Sequence, residues 1–414
     1  MRVLLANKYY GRRGGAESVV LQTQRLVEQA GHEVVPFAMR YDGSDPTEWS
    51  DYFVPTREYF AGSIVRRVGD SLAAIYSFDA RRRLRALLRA ARPDVAHLHN
   101  VYHQLSLSIV DELRSARIPI VMTLHDYKAA CPNYQLLTHD GLCQRCVGGA
   151  YWNAVRHRCL KGSMAGSSVA AAEAYLNRFR RQYRKIDLFL APSEFLRDVM
   201  VRAGLPADRI EVLRNAVPVE PPRARTVPTR PKFVYFGRLS KEKGVDWILD
   251  ASRSISPGVE VVVLGSGPLE AHLRARVERE GLTVQLNGFV MRDALVDELT
   301  TTTAALLPSG CYENCPMSVL EAGALGVPTI ASDIGGIREL ISNGIDGVLV
   351  PVGDSAALAD AVNELAERPE RVASLGKAAH ARVSEHHSED AYAGGLLAHY
   401  DRLLHASRPR IRAS

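Results

Sequence analysis

Two series of short, strongly apolar runs constrain this chain more than any other feature of its sequence. The first series is RVLLA (2–6), HEVVPFA (32–38), VAHLH (95–99), PIVMTL (119–124), LFLAPS (188–193) and EVLRNAV (211–217). The second is KFVYFG (232–237), VEVVVLG (259–265), VQLNGFV (284–290), AALLPS (304–309), PTIAS (328–332) and GVLVPV (347–352). Runs this apolar leave no polar face for water, so each predicts a strand buried on both faces, as in a parallel sheet covered by helices. Two such series, each alternating with helical stretches, predict an α/β chain of two Rossmann-like, doubly wound domains. The first domain is expected over 1–217 and the second over 232–390. Between them Pro218, Pro221, Pro222, Pro228 and Pro231 mark 218–231 as a linker, because prolines at that density suit neither sheet nor helix. Residues 391–414 are expected to form a helix that packs back on the first domain, followed by a basic tail. Ligands of such sheets bind off the carboxyl ends of the strands, so the two domains are expected to face each other across a cleft.

Charge adds a second constraint. The formal net charge is +6, and two segments concentrate arginine, ARRRLRALLRAAR (80–92) and NRFRRQYRK (177–185). These are either solvated helix faces or contacts with an anionic surface. No nucleic-acid-binding motif accompanies them, so an anionic membrane surface ranks above DNA or RNA and no nucleic acid is expected as a partner. No run of about 20 apolar residues is present, so no membrane-spanning helix is expected. The N-terminal MRVLLANKYYGRRGG has too short an apolar run for a signal peptide and reads as a strand and turn. A cytoplasmic protein is expected, with peripheral attachment to the inner face of a membrane as its one departure from free solution.

The stretch CYENCPMSVLEAG (311–323) places Glu313 and Glu321 on either side of Pro316. Proline belongs to the first turn of a helix, so Glu313 is expected on a loop and Glu321 on the second turn of a helix starting near Pro316. Met317, Ser318 and Val319 would then offer backbone N–H groups at a helix end that favours a phosphate. A carboxylate beside that anion is repelled, so Glu313 is expected to point away from the phosphates, toward neutral hydroxyls. Glu321 is expected to accept from a ribose. In FGRLSKEKGVD (236–246), Arg238 and Lys243 can reach a diphosphate and supply charge where a leaving group develops it. Gly14 and Gly15 in NKYYGRRGGAE (7–17) precede a helical run and let backbone approach a ligand. The strict GxGxxG of a dinucleotide site is absent. His125 in TLHDY (123–127) ends a strand and faces the ligand side, where it can donate to a hydroxyl or a developing charge; His97, His99 and His103 lie nearby in the sequence. Taken singly, each of these residues also has a plain structural reading.

Together they carry a resemblance. The chain resembles the family 4 retaining glycosyltransferases of GT-B fold, through GGAE near the N-terminus, GRLSKEKG after the first strand of the second domain, the E-x7-E of Glu313 and Glu321, and GVPTIASDIGGIRELISNGIDGVLVPVGD. The resemblance implies a nucleotide-diphospho-sugar donor held mainly by the second domain. It implies a hexose-type sugar moved to a carbohydrate or lipid-linked acceptor hydroxyl, in cell-surface polysaccharide or glycolipid synthesis. It implies that Arg238 and Lys243 hold the donor phosphates, Glu313 the sugar hydroxyls and Glu321 the ribose, with His125 beside the sugar and Gly15 beside the diphosphate. No metal or cofactor is implied for the chemistry. The competing readings are a sugar-nucleotide epimerase of similar architecture and a non-catalytic binding module.

One segment stands outside that resemblance. Cys131, Cys143, Cys146 and Cys159 form C-x11-C-x2-C-x12-C within 131–159. A structural zinc fits four thiolates with one C-x2-C, with His139 and His157 as exchangeable ligands. An iron–sulfur cluster and unligated thiols stay open beside it.

Overall fold

The computed structural model describes residues 1–57, 64–219 and 230–407. All twelve expected strands form. They are β1 (Arg2–Ala6), β2 (Glu33–Phe37), β3 (Val95–Leu98), β4 (Ile120–Thr123), β5 (Leu188–Ala191) and β6 (Ile210–Val212), then β7 (Lys232–Phe236), β8 (Glu260–Leu264), β9 (Val284–Gly288), β10 (Ala304–Leu307), β11 (Thr329–Ser332) and β12 (Gly347–Val350). They pair in parallel into two six-stranded sheets, in the orders β6-β5-β4-β3-β1-β2 and β9-β8-β7-β10-β11-β12. Fully buried Leu4, Leu98, Val121 and Phe189 fill the first sheet, and Phe233, Val234 and Ile330 the second. Apolar side chains thus face helices on both sides of each sheet, which is why the runs lack polar alternation.

The chain divides into two compact units, Met1–Leu213 with the segment from Tyr392 onward, and Arg214–Ala391. The first boundary falls after Leu213 rather than Val217. The reason is local: the Val217 N–H donates to the carbonyl of His387, and His387 Nδ1 lies 2.8 Å from the carbonyl of Asn215, which ties 215–217 to the end of the second unit. Residues 220–229, most of the expected linker, and the basic tail from 408 onward lie outside the described residues. The last helix (Glu389–Ser407) contributes its Tyr392 and Tyr400 to the first unit, where Tyr392 Oη lies 2.7 Å from Thr23 Oγ1 in the helix after β1.

In each unit the first strand lies between strands reached by opposite turns of the chain. β1 sits between β2 and β3, and β7 between β8 and β10. The loops leaving the carboxyl ends diverge there, which opens the ligand crevice of a doubly wound sheet. Among the described residues no helix is long and apolar enough to cross a membrane.

The arginine-rich segments are largely committed to internal pairs. In the helix Phe78–Ala91, Arg81 and Arg85 both bind Glu112, and Arg82 and Arg83 bind Asp79. From 177–185, Arg180 and Lys185 both bind Asp111. Burial alone would raise Asp111, but hydrogen bonds from Lys185, Arg180, Gln182 and Tyr76 outweigh it and hold the carboxyl at about 2. Arg81, Arg82 and Arg83 are therefore occupied within the chain. Arg89, Arg92 and Arg181 are exposed and make no ion pair among the described residues.

Candidate functional site

The second unit builds its site where the β7 and β10 loops diverge. After β7 the chain makes a single 3-10 turn, Lys241–Lys243, closed by Gly244 in the left-handed region at φ 66°. A side chain at Gly244 would place Cβ 1.9 Å from the carbonyl oxygen of Pro308, so only glycine lets this turn lie against the loop after β10. The Gly310 N–H then donates to the carbonyl of Glu242 at 2.8 Å. This joint carries Lys243 to Glu313: Nζ lies 2.5 Å from Oε1. The buried Ser309 donates its hydroxyl to the same oxygen at 2.6 Å. Burial disfavours the Lys243 ammonium, but Glu313 outweighs it and the net shift is upward.

The Glu313 backbone is fixed from the other side. Its carbonyl accepts from the Gly336 N–H at 2.7 Å, and a Cβ on Gly336 would sit 1.9 Å from the carbonyl oxygen of Asn314. The Gly335-Gly336 pair of the DIGGIREL stretch is thus the floor under the Glu313 loop. Pro316 is the N-cap of the helix Met317–Ala324, with no side-chain cap. Met317 and Ser318 follow it on the first turn of that helix. Val319 departs from expectation: its N–H donates to the carbonyl of Pro316 at 3.2 Å, because the first turn closes tightly behind the proline.

Glu321 lies on the second turn, partly exposed, and burial raises its carboxyl while Arg292 lowers it by less. Arg238 follows β7 directly, is exposed, and makes no ion pair among the described residues. The Glu313 carboxylate pairs with Lys243, a partner that the sequence reading did not assign to it. Ser309, Gly244 and Gly336 were not singled out from sequence; a glycine or serine in a loop carries no signal until its neighbour across the fold is known.

In the first unit, His125 follows β4 and His99 follows β3, on neighbouring strands of the sheet. His99 Nδ1 lies 2.8 Å from His125 Nε2. His97, two residues before His99, lies with its ring centroid 4.2 Å from that of His99. Its Nδ1 is 2.6 Å from Tyr400 Oη and its Nε2 is 2.7 Å from Thr123 Oγ1. Burial pushes His125 down to about 4 and His97 to about 3, and holds His99 well below the usual value, so all three imidazoles are neutral near pH 7. Asp126, next to His125, is raised by burial to about 6. The alternation in VAHLH signals this pairing, since residues two apart on a strand share a face. Gly14 is the N-cap of the helix Gly15–Gln29, in an extended conformation, and both glycines are exposed. A side chain at Gly14 would meet only Glu17 Oε2 at 3.3 Å.

Cys131, Cys143, Cys146 and Cys159 lie close enough for their thiols to influence one another. All are free thiols, and among the described residues no group of three or more His, Cys, Asp or Glu side chains is placed to hold a metal ion. Cys131 donates to Asn133 Oδ1 at 2.9 Å. The neighbouring Cys146 thiol lowers Cys131 below the usual thiol range. Cys146 and Cys159 pack with Tyr151, Ala154 and Ala171 in a small apolar cluster.

Comparison with known proteins bears on this geometry. The Glycosyltransferase Family 4 model matches residues 13–221 and the Glycosyl transferases group 1 model residues 220–382. The 2-deoxystreptamine N-acetyl-D-glucosaminyltransferase of Streptomyces fradiae is 30% identical over 308 residues, covering 69% of this chain and 65% of that protein. The amylovoran biosynthesis glycosyltransferase AmsK of Erwinia amylovora is 29% identical over 224 residues, covering 51% and 55%. The chain therefore spans less than two thirds of the length of either relative. Among solved structures, Anabaena HepE in complex with UDP-glucose superimposes with a TM-score of 0.68 at 19% identity, covering 97% of this chain and all of that one. Sucrose-phosphate synthase from Thermosynechococcus elongatus superimposes at 0.71 and 17% identity, covering 98% and 99%. Identities this low establish the fold alone, and that fold is GT-B, two Rossmann-like domains.

Proposed function

The chain belongs to glycosyltransferase family 4, and on that premise we propose that it is a retaining glycosyltransferase. The reaction moves a hexose-type sugar from a nucleotide-diphospho-sugar to an acceptor hydroxyl, in polysaccharide or glycolipid synthesis. One observation carries the reading. Lys243, Glu313 and Ser309 converge at 2.5 and 2.6 Å beside a helix N-terminus that has no side-chain cap. A cation, a carboxylate that reads hydroxyls, and two free N–H donors suit a ligand that is anionic at one end and hydroxylated at the other. In this reading the donor phosphates take Lys243 and release Glu313 to the sugar. Arg238 and the Met317 and Ser318 N–H groups meet the charge that builds on the leaving diphosphate. Glu321 accepts from the ribose, and on the first unit His125, neutral near pH 7, donates to a sugar hydroxyl. Relatives named for amylovoran biosynthesis and for 2-deoxystreptamine N-acetyl-D-glucosaminyl transfer support the class, and HepE, solved with UDP-glucose, makes UDP-glucose the first donor to test. A sugar-nucleotide epimerase is not favoured, since both family models are transferase models.

The acceptor is proposed to be a carbohydrate or a lipid-linked carbohydrate. Arg89, Arg92 and Arg181, with the 85% exposed Phe179, are the groups available to an anionic membrane. The deciding experiment incubates the protein with UDP-, GDP- and ADP-glucose, with and without a panel of sugar and polyprenyl-linked acceptors. Acceptor-dependent release of nucleotide with retained anomeric configuration is expected. Acceptor-independent conversion to an epimer, or no turnover with a donor that binds, would overturn the reading. A bound donor at 100 times its Kd should add about 2.7 kcal/mol of stability.

A further inference from the structure

We propose that His99 is a positioning residue that fixes the tautomer of His125, so that His125 carries its proton on Nδ1 and acts as a hydrogen-bond donor there. The proposal rests on the placement of His125 at the reacting sugar given above. His99 Nδ1 and His125 Nε2 lie 2.8 Å apart, and in a hydrogen bond between two neutral imidazoles one nitrogen donates and the other accepts. His99 is fully buried, and its Nε2 has no hydrogen-bond partner among the described residues. Were the His99 proton on Nε2, a buried N–H would be orphaned, the rarer and costlier of the two ways to leave a polar group unmatched. The proton therefore belongs on His99 Nδ1, which donates to His125 Nε2. His125 must then hold its own proton on Nδ1.

The rest of the cluster holds His99 to this task. His97 packs against the His99 ring and is itself pinned at both nitrogens, to Thr123 on β4 and to Tyr400 on the last helix. Burial keeps all three rings neutral, so the arrangement stores no positive charge beside His125. The link also joins the β3 and β4 loops to the helix that brings Tyr400 from 303 residues away.

The test reads the tautomer directly. Long-range 1H–15N correlation spectra of the 15N-histidine-labelled full chain, with His125 assigned by loss of its signals in H125Q, should show the Nδ1–H form. His99→Leu should shift His125 to the Nε2–H form or a mixture, while His99→Asn, which retains a donor at the Nδ1 position, should keep Nδ1–H. In transfer assays H99L should lose about 10- to 100-fold in kcat/KM, the usual size for removing a partner that orients a functional imidazole, and H99N should recover most of it. Thermal unfolding of both variants separates these effects from loss of fold. An Nε2–H tautomer in the wild type, or an unchanged His125 spectrum in folded H99L, would overturn the proposal. The spectra need no substrate, so a wild type without transferase activity would overturn the proposed function and leave the tautomer result standing.

Discussion

Lys243 Nζ and Glu313 Oε1 meet at 2.5 Å across 70 residues of chain, and Arg238, on the same loop as Lys243, has no such partner. The two cations were alike in the sequence and are unlike in the fold. Lys243→Ala leaves Glu313, 9% exposed, without its counter-charge. A fully buried pair costs about 3–5 kcal/mol to break this way, and the partial exposure of Lys243 reduces that to roughly 1–2 kcal/mol. Arg238→Ala should leave stability within about 0.5 kcal/mol. Both should lower turnover by about 10²–10³. Urea unfolding beside steady-state kinetics separates them, and equal stability losses would contradict the pairing.

Glu321→Gln should weaken nucleotide binding and stabilise the free protein. Burial raises this carboxyl, so the native state binds its proton more tightly than the unfolded chain does. Stability from that proton is present at low pH and is lost as pH rises from about 4.5 through the raised folded value. The substitution removes the penalty, and the melting temperature of E321Q should exceed that of the wild type at pH 7 by more than at pH 4. The lost ribose contact should raise the Kd for nucleotide about tenfold or more, measured by calorimetry.

Gly336→Ala tests the floor of the Glu313 loop. The new Cβ would stand 1.9 Å from the Asn314 carbonyl oxygen, and backbone cannot yield as a flexible side chain would. Donor affinity should fall and the protein should lose about 1–3 kcal/mol, whereas Gly344→Ala, at a glycine with nothing within 4 Å of its Cβ, tests only the cost of its positive φ. Unchanged donor binding in G336A would show that the loop does not depend on this contact.

The histidine cluster sets an acid limit on stability. His97, His99 and His125 are all lowered by burial, so each binds its proton less readily folded than unfolded. Their contribution is complete above about pH 6.5 and is lost as pH falls toward 4, at roughly 1.4 kcal/mol per pH unit for each histidine. Asp126, raised to about 6, acts in the opposite sense, so the comparison must be between variants. The slope of unfolding free energy between pH 7 and 5 should be shallower by about one proton in His97→Gln than in the wild type, read from urea titrations. An equal slope would mean that His97 titrates normally.

The sequence by itself determined all twelve sheet strands, the helix start at Pro316, the glycine-preceded first helix and the residues that stand at the strand ends. These depend on local properties: apolar runs long enough to exclude water, a proline that cannot sit in a helix interior, and a period that places side chains on one face. Tertiary structure decided which of those residues meet. Ser309 and Gly336 join Glu313, His99 takes His125, Tyr400 closes on His97, and Glu112 and Asp111 absorb arginines that looked free. The cysteines make the same point from the other side, since their spacing admits a four-thiolate centre and only the fold shows that Cys146 and Cys159 share one apolar cluster. Each of these outcomes depends on which elements are neighbours and how closely two backbones approach, and spacing along one chain does not encode distance between elements that lie as far as 303 residues apart.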